Sequence, residues 1–270
     1  MGKYPIGFNI ERTEENTHFE KPIVKENITI PKKSVVDVFF PKRNMTLSYY
    51  NDEFDLHRGD LVYVDGKLEG LQGRVVDINY TFKIKLSEYK KVIAVIDTNI
   101  QGQFYITGSH IVTFDPLSLP YEKVIKWFIS PNQSKEEFVY GEGKTSFPLD
   151  DLSKMDITQE IAERGNQYYL DNKVKYICLD GTKGKAILEG TESYEEEFDY
   201  YDGEVYNLVC SCFCSYPCKH EFAAMLQLRE TLKYINDNYC DKYGTYFAAI
   251  TKGLFIFYSL SEKETGEIRI

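Results

Sequence analysis

The chain lacks a basic surplus, an apolar run of membrane length and a complete phosphate-binding loop. Its 32 Lys and Arg stand against 42 Asp and Glu, a net charge of −10. That balance argues against a general duplex binder, whose affinity comes from neutralising phosphates. Residues 1–20 hold no apolar core flanked by basic residues, and no segment reaches the roughly 20 apolar residues of a spanning helix. A cytoplasmic protein with no membrane partner is therefore expected. Gly143-Lys144-Thr145 imitates the end of a phosphate loop, but Phe138 stands where the first glycine belongs. Ile6 occupies the position where an N-myristoylation signal carries Ser or Thr. Histidine is scarce, with four in 270 residues, and His18, His57 and His110 are isolated in the sequence. Surface or loop positions are expected for these three.

Against that scarcity, four of the six cysteines and the fourth histidine crowd into residues 210–220. A disulfide framework needs an oxidising compartment, and a catalytic Cys/His pair needs its base across a cleft from the nucleophile. Neither fits Cys218 and His220 two residues apart among other thiols. A structural zinc does fit, because Zn²⁺ takes four thiolate or imidazole ligands in a tetrahedron. The pattern Cys-x-Cys, spacer, Cys-x-His can start at Cys210/Cys212 or at Cys212/Cys214. Five spacer residues allow a strand to reverse more comfortably than three, so Cys210, Cys212, Cys218 and His220 are the expected ligands. Cys214 is then a spare thiol or an alternative ligand. Cys178, in an apolar run, and Cys240 are expected to fill core positions.

Glu204 to Val209 alternates and is rich in Val, Leu and Tyr, which predicts a strand carrying Cys210 and Cys212 on one face. A helix is predicted from about Lys219, with an apolar stripe of Phe222, Met225, Leu226 and Leu232. Its amino terminus would favour nearby thiolates. Upstream, Asp156 with Gln159 predicts the cap of a helix from Ile157 to Arg164, and Gly165 a left-handed stop. Strands are predicted at Lys173 to Leu179, Lys185 to Thr191, Ser193 to Tyr201 and Glu204 to Cys210, the last two joined by a tight Asp202-Gly203 turn. Tyr246 to Leu260 and Glu267 to Ile270 read as closing strands.

Cys210-Ser211-Cys212, the spacer and Cys218-Lys219-His220, followed by Phe222-Ala223-Ala224-Met225-Leu226, resemble the SWIM-type zinc finger. Glu163-Arg164-Gly165-Asn166-Gln167-Tyr168-Tyr169 and Lys173-Val174 are similar to the helix, Arg-Gly and strand that lead into that finger, so the resemblance covers about residues 155–232. It departs from the family pattern in its short spacer and in Cys214. The resemblance implies zinc binding and contact with DNA or protein, and it implies no reaction. Because such fingers often accompany helicase-like ATPases, it also leaves an accessory subunit of a nucleic-acid-processing machine as the alternative function.

The first half is strand-rich, with β-branched and aromatic runs at Ser34 to Phe40, Leu61 to Val64, Arg74 to Ile78, Thr81 to Leu86, Val92 to Ile96, Gln103 to Thr107 and Ile111 to Phe114. Arg58-Gly59-Asp60-Leu61-Val62-Tyr63-Val64 followed by Gly73-Arg74-Val75-Val76 is weakly similar to small SH3-like barrels. Pro120 to Ile129 predicts a helix with Val124, Ile125 and Phe128 inward. The expected fold is α+β: a small amino-terminal β-barrel or sandwich over residues 1–130, a linker at 131–150, and an α+β zinc-finger domain with a β-meander over 151–270.

Residues 1–130 hold 17 charges of each sign, leaving 15 basic against 25 acidic for the remainder. Seven acids fall between Glu192 and Glu204, expected on the solvated face of a hairpin. A protein partner is therefore favoured over DNA or RNA. Any nucleic-acid contact is assigned to Lys83, Lys85, Lys90 and Lys91. No acid/base pair or open metal site can be named, so a recognition module without catalysis of its own is the expectation.

Overall fold

A computed structural model describes residues 32–132, 146–214, 217–259 and 267–269. Among them the fold is mixed α+β with two largely antiparallel sheets. The expected linker falls partly at 133–145, and the phosphate-loop imitation, Gly2, His18 and the spacer residues Ser215 and Tyr216 likewise lie outside the described residues.

The smaller sheet comprises β1 (Ser34–Phe40), β2 (Met45–Asn51), β3 (Leu61–Val64), β4 (Gly73–Asn79) and β5 (Val92–Val95), in the order β2-β1-β4-β3-β5. Strict alternation in β1 sends Val36, Val38 and Phe40 inward, where they meet Tyr49, Val62, Val64 and Val75. The edge strands meet at one bridge, Tyr50 to Lys91, and the Tyr50 N–H donates to Lys90 O at 2.9 Å. Two expectations need correction here. Thr81 to Leu86 is not a strand but an irregular segment ending in a short 3₁₀ turn at Leu86–Glu88, because its alternating side chains have no partner strand. Met45–Asn51, which sequence reading passed over, pairs along its whole length with β1.

The larger sheet draws on both halves of the chain. β6 (Gln103–Thr107), β7 (His110–Thr113), β8 (Ser146–Pro148), β9 (Val174–Asp180), β10 (Lys183–Glu189), β11 (Ser193–Tyr201), β12 (Glu204–Cys210), β13 (Tyr246–Thr251) and β14 (Glu267–Arg269) lie in the order β14-β6-β7-β13-β9-β10-β11-β12-β8. β9 to β12 form a meander, and only β14 beside β6 is parallel. The expected boundary at 131–150 thus falls between strands of one sheet, since β7 pairs with β13.

Among the described residues four α-helices accompany the sheets: α1 (Tyr121–Val124, continued by a 3₁₀ turn through Trp127), α2 (Gln159–Leu170), α3 (Lys219–Asn238) and α4 (Lys252–Ser259). Period-two alternation gives the large sheet two apolar faces. Ile177, Leu179, Ala186 and Leu188 pack under Ala223, Ala224, Leu228 and Leu232 of α3. Tyr176, Cys178, Ile187 and Ile250 face Leu61 and Tyr63 of β3, Trp127 and Phe255. Val124 and Trp127 are buried in this second core and Ile125 and Phe128 pack half-buried against it, the Trp127 indole N–H donating to Asp97 O at 2.7 Å.

The helix boundaries differ from expectation. Thr158, not Asp156, caps α2, its hydroxyl accepting from the Ile161 N–H at 3.3 Å, and the helix runs through Gly165 to Leu170. Gly165 is a contact point and not a stop: a Cβ there would come within 2.8 Å of both Lys219 O and Phe222 Cδ1, so only glycine lets α2 and α3 approach this closely. Residues 246–260 are not one strand, since the chain turns helical after Thr251. An apolar run carries no periodicity able to distinguish the two. The Asp202-Gly203 turn is as expected, with φ of 49° and 82° at its two residues, the pair of positive values a tight hairpin requires.

Candidate metal centre

The meander and α3 deliver four donors to one point. β12 ends at Cys210, opposite Glu196 of β11, and the pairing extends one residue further. Ser211 N–H donates to Glu195 O at 2.9 Å while its hydroxyl accepts from Glu195 N–H at 2.8 Å. That pins the residue between the first two cysteines. Cys212 reaches the site from the bend beyond the strand, not from the strand itself.

Cys218 enters from the other side as the N-cap of α3, with extended backbone angles. Its thiol accepts from the Glu221 N–H, and its own N–H donates to Glu221 Oε2 at 2.7 Å. This is a capping box with cysteine in the place usually taken by Ser or Thr. His220 follows in the first helical turn. Its ring lies stacked on Tyr194 at 4.2 Å between centroids and edge-on to Tyr168 at 5.2 Å.

One ligand atom from each of Cys210, Cys212, Cys218 and His220 lies within 4.8 Å of all the others, and all four residues are buried. Cys210 Sγ is 3.8 Å from His220 Nδ1. A tetrahedral zinc with Zn–S of roughly 2.3 Å separates its sulfurs by about 3.8 Å, so slight contraction suffices. The described cysteines are all free thiols. His220 Nε2 is buried with no hydrogen-bond partner among the described residues. The donor set is soft and compact, and it fits a tetrahedral thiophilic cation. Cys214 stands outside this group and is exposed.

The protonation of the three thiols is tightly linked. Hydrogen bonds from the Cys210 and Cys218 thiols hold Cys212 far below the usual thiol range, whereas Cys210 is driven up by its contacts with Cys212 and Cys218 and then by burial. At Cys218 the Cys210 contact lowers the pKa, but Cys212, burial and Glu221 outweigh it. Three packed sulfurs thus share protons, one ionising readily while the others resist. Nearby, burial raises Glu221 to about 7. Glu196 is wholly buried, its carboxyl pushed well above the carboxylate range by burial and then by Glu221, and neither oxygen has a partner among the described residues.

Glu196 is the residue that sequence reading missed, having been counted with the solvated acids of the hairpin. Its spacing of two from Phe198, which is buried, was the available signal. Two other acids of that hairpin meet cations: Glu197 pairs with Lys185 at 3.2 Å and Asp199 with Lys183 at 2.6 Å.

The four lysines assigned to nucleic acid do not share a strand. Lys83 and Lys85 lie in the irregular segment after β4, with Lys85 3.2 Å from Glu88. Lys90 packs its stem beside Gly66. Lys91 pairs with Asp52 at 3.1 Å and lies 5.6 Å from the Tyr50 ring centre. Of the isolated histidines, His57 is exposed and His110 is a core residue, not a surface one. No described helix is long and apolar enough to cross a membrane. No family model, no curated protein and no solved structure matches the chain.

Proposed function

We propose that this chain is a zinc-stabilised recognition module of the SWIM-finger type that acts by binding, with a protein as its favoured partner and nucleic acid second. The observation that carries the reading is the convergence of Cys210, Cys212, Cys218 and His220 within 4.8 Å in a buried pocket. Four protein ligands fill a tetrahedral shell, leaving no open position for substrate or activated water, which is how structural zinc differs from catalytic zinc. The cation would supply charge to hold three thiolates together. The residues do the rest: Cys210 and Cys212 anchor the meander, and Cys218 and His220 anchor the first turn of α3. A protein partner is favoured because the surplus of acids lies in the half that contains this site.

Elemental analysis of the purified full chain tests the first part. One zinc per chain is expected, falling to background in Cys212→Ala. Absence of stoichiometric zinc, or disulfides among these cysteines, would overturn it. Anisotropy titrations against single- and double-stranded DNA and RNA test the second part. Weak, steeply salt-dependent binding is expected, and tight binding at moderate salt would place nucleic acid first.

A further inference from the structure

A second concavity lies on the helices that the metal site anchors. Residues 150–159, the start of α2 and the first half of α3 enclose a groove of about 480 Å³. That volume falls within the range of ligand-binding clefts. Its floor is apolar, made by Leu152, Met155, Ala162, Phe222 and Leu226, while Asp150 and Asp151 form one rim. Arg229 lines the groove too, with its guanidinium 3.9 Å from Glu230. Of the charged residues that line it, Asp150 and Asp151 are acidic and Arg229 is basic, and in the adjoining sequence Asp156, Glu160 and Glu163 outnumber Lys154 and Arg164. Phe222 and Leu226 sit two and six residues beyond His220 on one helix, so the metal ligands and the groove floor share a rigid element.

We propose that this groove seats a basic polypeptide segment, one large apolar side chain entering the floor while flanking Lys or Arg side chains face the acidic rim. The apolar floor provides the anchor point that hot spots require. The rim provides charge complementarity, which sets the sign of the partner. The inference rests on the reading of the chain as a recognition module and names where that recognition occurs.

The test uses the full-length protein in zinc-containing buffer and a phage-displayed library of random peptides. Selection on the wild type is followed by counter-selection on Ala162→Leu, which fills the groove and keeps a strong helix former. Recovered peptides are expected to carry one large apolar residue and several Lys or Arg. Measured by anisotropy, a synthetic copy should lose roughly tenfold or more in affinity with Ala162→Leu and roughly threefold with Asp150→Lys, more weakly at high salt. Recovery of no peptide that depends on Ala162, or of acidic peptides, overturns the inference, as does competition by single-stranded DNA at equal concentration. Zinc content is measured on the same samples. Stoichiometric zinc without groove binding sinks only this inference, and groove binding without zinc sinks only the metal.

Discussion

Two histidines lie buried in the same sheet-and-helix body, and they are buried in different ways. His110 has both ring nitrogens engaged within the protein, Nδ1 with Ser109 Oγ at 2.9 Å and Nε2 with Val174 O at 2.8 Å. His220 faces a thiol at 3.8 Å with one nitrogen and leaves the other without a partner among the described residues. Burying a polar group without a hydrogen bond costs free energy. The first site is thus complete as folded, whereas the second turns Nδ1 towards a cluster of three thiols and leaves Nε2 unmet among the described residues. Burial of a histidine does not mark a candidate ligand; a ring nitrogen that faces several soft donors does.

The largest expected effect breaks this comparison at His220. Removing zinc with a chelator should forfeit on the order of 10 kcal/mol of apparent stability at the site. By hydrogen exchange, amides of β12 and the first turns of α3 should lose protection before those of β1 and β4. Equal loss throughout, or none, would contradict the proposed centre.

The complementary test breaks it at His110. Burial lowers the His110 pKa from 6.5 to about 4, the Val174 carbonyl opposing and Lys175 and Lys252 adding. The folded chain therefore keeps this ring neutral while the unfolded chain protonates it near 6.5. The contribution is fully present above about pH 6.5, is lost as pH falls towards 4, and amounts to about 3 kcal/mol. Denaturant titrations of the wild type and His110→Asn at pH 7 and pH 4 measure it. A stability difference between the two that does not change with pH would rule it out.

Gly165→Ala sharpens the link between the two helices. The new methyl meets Lys219 O and Phe222, so a loss of about 1–3 kcal/mol is expected from overpacking, partly offset by helix propensity. It should appear as a lower melting temperature with a reduced zinc affinity, because the first turn of α3 must shift. The smallest effect is expected for Cys214→Ala. This exposed thiol lies outside the cluster, so zinc content should stay at one per chain and stability within about 0.5 kcal/mol. A fall in zinc content would return Cys214 to the ligand set.

What was legible in the sequence was local. The ligand spacing, the Asp202-Gly203 turn and the strands Ser34–Phe40, Ser193–Tyr201 and Glu204–Cys210 depend on neighbours a few residues away, and their limits were read correctly. The pairing of β7 with β13 depends on contacts across more than 130 positions, which no periodicity encodes. Lys83 and Lys85 alternate as a strand would, yet without a partner strand the segment stays irregular. Gly165 carried the right signal for the wrong reason, since its missing Cβ serves a helix crossing and not a helix end. Glu196 escaped notice because a run of acids reads as solvated, although period two placed it beside Phe198.

The cysteine at the head of α3 carries a consequence for how metal occupancy is sensed. Cys218 satisfies a free amide of the first turn and also belongs to the four-donor cluster. Loading the site would turn its neutral sulfur into a thiolate at the positive end of a 20-residue helix, where a negative charge is stabilised. The helix start and the metal would then be coupled through one atom, each strengthening the hold of the other. A serine at this position would preserve the cap and remove that coupling, leaving His220 as the one proposed ligand that ties α3 to the cluster.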